Sequence, residues 1–319
     1  MRFRSFFLLF SVFASHFEVV RGADDNLTAG EEELRKHLPS EECSVTTIRL
    51  WTEKGPDDDR PFPEESLQEG RDGSNRIVMV TKPSMTVVRP VSVEEPVPAV
   101  LVCPGGGYGS LGITSGGMDI VEWLIERGVA GVYMKYRVPK RNQGFPMHHH
   151  PLQDIQRAVS LLRNQGEDLG IDPDRIGAIG FSAGGNLCAM LATNHRSEAR
   201  MYEPVDEADR ESCRPDFIAM VAPAYLTDPI ESADLRPELT HEMVRRNITP
   251  PVFIASAITD KFTIGSLHFA LLLRERRVPT EVHIYEKGGH AEGIHDGPDN
   301  QWPDMFEDWL IRQGIIKSP

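Results

Sequence analysis

The chain has 319 residues, of which 40% are hydrophobic and 26% are charged, and this composition is that of an ordinary globular protein. Its formal net charge of −14 predicts an acidic surface that repels the phosphates of nucleic acids and anionic membrane surfaces. We therefore expect no nucleic acid among its partners.

The first 22 residues have the features of a secretory signal peptide. Arg2 and Arg4 precede the apolar run "FFLLFSVFA" at residues 6–14, which is much shorter than the roughly 20 apolar residues of a spanning helix. Cleavage could follow Ala14 or Gly22, and the sequence does not choose between them. A signal peptide at residues 1–22 predicts a secreted or periplasmic protein with no stable membrane insertion after its removal. An uncleaved membrane anchor is the alternative.

Residues 23–74 form an acidic segment rich in Pro and Gly, and we expect it to be partly loose with an edge strand. The apolar pieces "VTTIRLW" (residues 45–51) and "RIVMV" (residues 76–80) are typical of edge strands entering a sheet. The four cysteines lack a CxxC spacing. One disulfide, between Cys43 and Cys213, would suit an exported protein, although spacing alone does not decide it.

Residues 75–319 are predicted to form one α/β domain. From Pro98 onward, apolar strand patterns alternate with helical patterns, which is typical of a doubly wound, mostly parallel sheet with helices on both faces. In such a sheet, ligands bind beyond the carboxyl ends of the strands. Functional side chains are therefore expected directly after the strands.

One serine follows a strand in a sequence that favours a sharp turn. Ser182 stands in "GFSAG" (residues 180–184), after "RIGAIG" and before the helical "GNLCAMLAT". A strand that turns sharply into a helix needs small neighbours, which Gly180 and Gly184 supply. This context predicts that Ser182 is a nucleophile, and the alternative of a helix N-cap leaves both glycines unexplained.

A serine nucleophile needs a base and an acid that orients the base. Asp260 follows the strand pattern "PVFIASAIT" and His290 follows "TEVHIYEKGG", so both are expected at the same sheet edge as Ser182. Asp228, after "APAYLT", is the alternative acid, and His295 is the alternative base.

The negative charge that forms on a substrate carbonyl must be met by fixed N–H groups. The amide of Ala183, directly after the nucleophile, is one predicted donor. Gly106 and Gly107, in the loop "CPGGGY" after an earlier strand, are the others because glycine lets the backbone approach the substrate. The following "GGGYGSLG" lacks the Lys-Ser/Thr of a P-loop, and no cofactor is predicted.

Three adjacent histidines, His148 to His150, precede a helical pattern. Adjacent residues on one loop rarely converge on one ion, so we expect a solvated or substrate-facing loop and no metal site. Asp154 and Arg157, three residues apart on that helix, are predicted to form a local ion pair.

These pieces together resemble the secreted α/β-hydrolase esterases related to acetyl xylan and feruloyl esterases, which are often labelled xylanases, and the lipases with a His-Gly-Gly-Gly loop. The segments that carry the resemblance include "CPGGGY", "MKYRVP", "GIDPDRIGAIGFSAGGNL", "PPVFIASAITDKF" and "HIYEKGGHAEGI". The resemblance implies an α/β-hydrolase fold and the same roles for the residues named above. Three places depart from it: Pro104 stands where the lipases have His, "TDKFTI" lacks Asp-x-x-Val-Pro, and "GHAEGI" replaces Gly-His-Gly-Phe-Gly.

The sequence therefore predicts a serine esterase, and the resemblance implies acetyl or feruloyl esters of polysaccharide as substrates. The alternatives are a serine exopeptidase like prolyl oligopeptidase, a xylan-degrading hydrolase as such relatives are labelled, and a catalytically silent binding protein on a hydrolase scaffold. Glycoside hydrolysis needs a facing pair of carboxylates, which no motif marks here.

Overall fold

A computed structural model describes residues 27–39, 42–58, 61–70, 73–140, 144–195, 200–240, 242–290, 293–294 and 301–317. The signal peptide predicted at residues 1–22 and the alternative base His295 lie outside these ranges. Within them, no helix combines the length and the apolar character needed to cross a bilayer.

The centre of the molecule is an eight-stranded sheet with the order β1-β4-β7-β5-β8-β9-β10-β11. The pairs β1–β4 and β4–β7 are antiparallel, and every pair from β7 to β11 is parallel. The predicted doubly wound, mostly parallel sheet is confirmed. Its strands are β1 (Cys43–Arg49), β4 (Ser84–Pro90), β5 (Val97–Cys103), β7 (Ala130–Lys135), β8 (Ile171–Phe181), β9 (Phe217–Val221), β10 (Val252–Ala257) and β11 (Thr280–Tyr285).

Helices cover this sheet because its middle strands are apolar on both faces. Every residue of β5, β7, β9 and β10 is buried, as expected for parallel strands between two helical layers. The helices are α1 (Ala29–Arg35), α2 (Asp119–Ile125), α3 (His149–Asn164), α4 (Gly166–Leu169), α5 (Ala183–Thr193), α6 (Thr263–Glu275) and α7 (Trp302–Arg312), with short 3-10 turns at Glu207–Arg210 and Pro237–Leu239.

The order of strands places a crevice at the centre of the sheet. The chain runs from β5 outward to β7, returns across β5 to β8, and then continues outward through β9, β10 and β11. This reversal leaves the carboxyl ends of β5 and β8 side by side, at the position where doubly wound sheets bind their ligands.

A second, three-stranded sheet corrects one prediction. The strand in "RIVMV" enters a sheet as predicted, but it is the middle strand of this small sheet and not an edge strand. It forms β3 (Asn75–Val78), which pairs with β2 (Ser66–Glu69) and β6 (Leu111–Gly112). Strand β6 follows the glycine loop after β5. Strand β3 pairs with β6 at this place and not with the edge of the main sheet.

Helix α1, which no pattern predicted, is held to the sheet by a buried ion cluster. Lys135 of β7 lies 3.1 Å from Glu31 and 2.7 Å from Glu65, and its side chain is 1% exposed. Glu31 also accepts from Ser84 Oγ at 2.6 Å and pairs with Arg49. Burial alone would raise the pKa of Glu31, but Lys135, the Ser84 hydroxyl and the other donors lower it to about 2.

Asp154 and Arg157 do not pair with each other, so that prediction is wrong. Both side chains turn to partners distant in the sequence. Asp154 accepts from Trp51 Nε1 at 2.8 Å and pairs with the fully buried Arg137 at 2.9 Å, whereas Arg157 pairs with Asp206 and Asp209. These long-range bonds fix α3 against the sheet and the N-terminal segment.

All four cysteines are free thiols. Cys43 is half-buried on β1, and the Sγ of the buried Cys213 donates to the carbonyl of His195 at 3.2 Å. The suggested Cys43–Cys213 disulfide is therefore not formed.

Candidate active site

Ser182 occupies a one-residue turn between β8 and α5. Its backbone has φ +54° and ψ −116°, a conformation that costs a residue with a side chain free energy and is stable only when its surroundings impose it. The amide donates to the carbonyl of Val221 at 3.2 Å, and the carbonyl accepts from the amides of Asn186 (3.1 Å) and Ala224 (2.9 Å). Strand β9 and helix α5 thus hold the serine from both sides.

The two glycines of the motif are required by close backbone contacts. A Cβ on Gly180 would lie 2.1 Å from the carbonyl oxygen of Gly184, and one on Gly184 would lie 2.0 Å from that of Cys103. Both distances are far below van der Waals contact. The start of α5 can therefore pack against the ends of β8 and β5 only if these positions lack side chains.

The structure brings Ser182, His290 and Asp260 into one chain of hydrogen bonds. Ser182 Oγ lies 2.7 Å from His290 Nε2, and His290 Nδ1 lies 2.7 Å from Asp260 Oδ2. Asp260 is 3% exposed and His290 38%, so the acid is shielded and the base faces the cleft. Ser182 makes no side-chain cap to α5, in contrast to the alternative interpretation.

The alternative acid lies away from this chain of bonds. The carboxylate of Asp228 is 65% exposed and lies 3.6 Å from Arg236 Nη2. The alternative base, His295, lies outside the described residues.

The loops that carry the acid and the base support each other. Asp260 Oδ1 accepts from the amide of Phe262 at 3.1 Å, which fixes the carboxylate, and Thr259 Oγ1 donates to the carbonyl of Gly288 at 3.1 Å. The ring of Phe262 packs against the imidazole of His290 with centroids 4.8 Å apart. These contacts fix the position of the imidazole relative to Asp260.

The glycine loop after β5 runs beside the nucleophile. A Cβ on Gly105 would lie 3.2 Å from Ser182 Cβ, while Gly106 (φ +142°) and Gly107 (φ +62°) have backbone angles that favour glycine. Within the described residues, the amides of Gly106, Gly107 and Ala183 donate to no protein acceptor. All three predicted donors thus lie at the turn with their N–H groups available.

A tyrosine supports this loop where the related lipases have a histidine. Tyr136, directly after β7 and fully buried, donates its hydroxyl to the carbonyl of Pro104 at 2.6 Å. The sequence motif "MKYRVP" contained this residue, but its spacing gave no sign of the contact. The hydrogen bond fixes the loop two residues before Gly106.

Asp119, at the start of α2, is a second supporting residue that sequence reasoning missed. Its carboxylate accepts from the amides of Gly116 (3.2 Å), Gly117 (3.0 Å) and Ile120 (2.8 Å), and at 3.4 Å from Ile294, near the base. Burial raises the pKa of this carboxyl, although the amides oppose the change. Asp119 therefore links α2 to the part of the chain that follows His290.

The expectation that the three histidines face solvent or substrate is wrong, because all three side chains are buried. His149 Nε2 lies 2.8 Å from Asp57 Oδ2, and His150 Nε2 lies 3.1 Å from the carbonyl of Asp57, so both are bound by the N-terminal segment. His148 Nε2 lies 3.7 Å from Glu238 Oε1. Among the described residues, no group of three or more His, Cys, Asp or Glu side chains has a metal-binding arrangement.

Comparison with protein families gives one match in the middle of the chain. The model described as BD-FAE matches residues 85–234, just under half of the sequence. The matched range includes the glycine loop and Ser182 but ends before Asp260 and His290.

Two curated proteins are similar in part. An acetylxylan esterase of Xylanibacter ruminicola is 28% identical over 205 residues, which cover 61% of this chain and 41% of that protein. Endo-1,4-beta-xylanase B of Butyrivibrio fibrisolvens is 30% identical over 207 residues, which cover 60% of this chain and 32% of that protein. The chain therefore spans less than half the length of either relative.

Solved structures match more of the chain. The crystal structure of an acetyl ester-xyloside bifunctional hydrolase from Caldicellulosiruptor lactoaceticus has a TM-score of 0.66 and 27% identity, and the match covers 88% of this chain and 98% of that one. The esterase Est2 of Thermogutta terrifontis has a TM-score of 0.61 and 18% identity, covering 81% and 94%. At that identity Est2 shows the fold alone, and together the two confirm the predicted α/β-hydrolase fold.

Proposed function

We propose that this chain, which has the α/β-hydrolase fold of its esterase relatives, is a serine esterase acting through Ser182, His290 and Asp260. The observation that carries the proposal is the line of two 2.7 Å hydrogen bonds from Ser182 through His290 to Asp260. A serine that only capped a helix would need neither the imidazole nor its buried acid.

In the proposed reaction, Ser182 Oγ attacks the ester carbonyl carbon while His290 Nε2 takes the hydroxyl proton. Asp260 orients the imidazole and stabilises its protonated form. The N–H groups of Gly106, Gly107 and Ala183 stabilise the charge on the carbonyl oxygen.

The attack on the carbonyl carbon gives a tetrahedral intermediate. When this intermediate collapses, the ester C–O bond breaks and His290 gives its proton to the leaving alcohol. Water, deprotonated by His290, then attacks the acyl-serine carbonyl carbon. The bond to Ser182 Oγ breaks, His290 returns the proton to Oγ, and the acid is released. Every proton in this cycle passes through His290, so the reaction needs no cofactor.

For the substrates we propose acetyl or feruloyl esters of polysaccharide. Support comes from the names of the relatives, an acetylxylan esterase and an acetyl ester-xyloside hydrolase. A secreted or periplasmic location, reached through the signal peptide proposed at residues 1–22, would bring the protein to such polymers.

The first test is the hydrolysis of p-nitrophenyl acetate by the purified chain and by Ser182→Ala. We expect the substitution to lower kcat by at least about 10⁴-fold, as loss of a triad nucleophile does. The control Ser232→Ala removes a hydroxyl that bonds only the amide of Asp234 at the surface and should stay within 2-fold of the parent. Activity retained by Ser182→Ala would overturn the proposal.

A labelling experiment separates the esterase from a silent binding protein. A fluorophosphonate probe should modify Ser182 in the parent chain and leave Ser182→Ala unmodified. An unlabelled parent chain would favour the binding protein.

A substrate panel tests the remaining alternatives. Acetylated and feruloylated xylo-oligosaccharides should release acid, whereas a p-nitrophenyl β-xyloside and a peptidyl arylamide should not react. Glycoside hydrolysis needs two carboxyls facing the bond, and Asp260 is 3% exposed and bonded to His290. Xyloside cleavage abolished by the same Ser182→Ala substitution would contradict this assignment.

A further inference from the structure

Tyr225 is held beside the nucleophile by backbone contacts. It lies after β9 with φ +55°, an unusual conformation for a residue with a bulky side chain. Its carbonyl accepts from Asn186 Nδ2 at 3.0 Å and from Arg236 Nε at 2.9 Å. Since Asn186 also bonds the carbonyl of Ser182 through its amide, Tyr225 is positioned by the same helical turn that holds the nucleophile.

The ring of Tyr225 lies between the glycine loop and the base. Its hydroxyl is 3.5 Å from where a Cβ on Gly107 would stand. On the other side, the ring meets Phe262 edge-on with centroids 5.4 Å apart, and Phe262 packs on His290 at 4.8 Å. Tyr225 therefore forms one wall of the cleft between the predicted oxyanion donor Gly107 and His290.

The hydroxyl of Tyr225 differs from those of its two tyrosine neighbours. Tyr108, stacked on Tyr225 at 6.5 Å, donates to Asn186 Oδ1 at 2.8 Å, and Tyr136 donates to Pro104 at 2.6 Å. Within the described part of the chain, the hydroxyl of Tyr225 has no hydrogen-bond partner, and its side chain is only partly buried. A fixed aromatic ring with an available hydroxyl can bond a ligand at little cost in conformational entropy.

The position of His290 identifies which part of the substrate this wall meets. His290 Nε2 gives its proton to the leaving oxygen, so the alcohol portion of the ester must lie next to the imidazole. Phe262 packs on that imidazole, and Tyr225 packs on Phe262. Tyr225 is therefore one ring away from the imidazole that meets the leaving alcohol.

We propose that Tyr225 recognises the alcohol portion of the substrate by donating a hydrogen bond to a hydroxyl of a carbohydrate, with Phe262 fixing the angle of its ring. This inference rests on the proposed esterase function and adds to it the residue that selects a sugar alcohol over an alcohol without hydroxyl groups.

The test compares two substrates in Tyr225→Phe, which keeps the ring and removes only the hydroxyl. For acetylated xylobiose, kcat/KM should fall about 5- to 10-fold, the loss expected for one neutral hydrogen bond. For p-nitrophenyl acetate, whose leaving group carries no further hydroxyl, kcat/KM should change less than 2-fold. The control Tyr202→Phe removes a hydroxyl bonded to Asp209 and should leave the ratio between the substrates unchanged.

An equal fall for both substrates, or a fall for neither, would overturn the inference while leaving the esterase proposal intact. A parent chain that hydrolyses p-nitrophenyl acetate but no acetylated oligosaccharide would overturn the sugar recognition and the substrate part of the proposed function together. A parent chain that hydrolyses neither ester would show that the proposed function itself fails. Phe262→Leu provides a second variant. It should lower kcat/KM for both esters, because Phe262 also packs on His290, and it should lower kcat/KM more for the sugar ester, because the contact with the ring of Tyr225 is lost.

Discussion

The hydroxyl of Tyr136 donates to the carbonyl of Pro104, and both groups are buried beneath the glycine loop. Tyr136 directly follows β7, so the support of this loop comes from the end of a neighbouring strand. The same loop carries the predicted oxyanion donors Gly106 and Gly107. The bond to Pro104 therefore helps to position these donors relative to the sheet.

We therefore expect Tyr136→Phe to lower kcat about 10-fold with a smaller change in KM, because the donors lose their alignment with the transition state. The orphaned carbonyl should also lower the free energy of unfolding by roughly 1–3 kcal/mol. Tyr202→Phe removes another buried hydroxyl, which is bonded to Asp209, and should lower stability without changing kcat. Equal kcat values in Tyr136→Phe and Tyr202→Phe would contradict a positioning role for Tyr136.

The identity of the acid can be tested with a matched pair of substitutions. Asp260→Asn should lower kcat on p-nitrophenyl acetate by about 10³- to 10⁴-fold, because the amide favours the wrong imidazole tautomer and does not stabilise the imidazolium. Asp228→Asn, at an exposed carboxylate near Arg236, should stay within 2-fold of the parent. The reverse order of the two effects would transfer the role to Asp228.

Local patterns in the sequence were sufficient to predict that Ser182, Asp260 and His290 meet at one edge of the sheet. Ser182, Asp260 and His290 each follow a strand pattern, and a parallel sheet brings the carboxyl ends of its strands to one edge. The flanking glycines predicted a backbone constraint, and in the structure a Cβ at Gly180 or Gly184 would lie 2.1 or 2.0 Å from a carbonyl oxygen. The catalytic roles of these residues remain predictions until the variants are measured.

The supporting contacts could not be predicted because their partners are far apart in the sequence. Asp154 is 103 residues from Trp51, and Ile294 is 175 residues from Asp119. The i, i+3 spacing of Asp154 and Arg157 suggested a local pair, but buried long-range partners satisfied both charges instead. Helix α1 was missed because it has no apolar periodicity: its buried residues include Glu31, which pairs with Lys135, and Glu33.

The glycine before the nucleophile gives a prediction about folding. In Gly180→Ala, the new Cβ would overlap the carbonyl oxygen of Gly184 at 2.1 Å, and backbone on both sides prevents relief. We expect Gly180→Ala to give little soluble protein. The protein that is recovered should not be labelled at Ser182 by the fluorophosphonate probe and should show no cooperative thermal transition. Gly73→Ala provides the control, since its φ of +77° is unfavourable but no atom lies within 4 Å, and it should cost only about 1 kcal/mol. A soluble, active Gly180→Ala would contradict the contact.

Two buried groups whose pKa values are lowered within the acidic range, His148 and Glu31, predict how stability depends on pH. Burial, opposed by Glu238, lowers the pKa of His148 from its ordinary 6.5 to about 4. Below pH 6.5 the imidazole of His148 binds a proton in the unfolded chain but stays neutral in the folded chain. The free energy of unfolding therefore falls as the pH drops from 6.5 to 4. Glu31, with a pKa lowered from 4.5 to about 2, is ionised when folded, so its contribution is lost between pH 4.5 and 2.

Thermal unfolding of the parent chain between pH 8 and 2.5 should show Tm falling through both windows. His148→Gln cannot titrate and should flatten the curve between pH 6.5 and 4 while leaving the lower window unchanged. Glu31→Gln should start from a lower Tm at pH 7, because Glu65 is then the one carboxylate among the described residues that pairs with Lys135, and should flatten the curve between pH 4.5 and 2. If His148→Gln loses Tm across the upper window as steeply as the parent chain does, the proton uptake belongs to another group and His148 is not the cause.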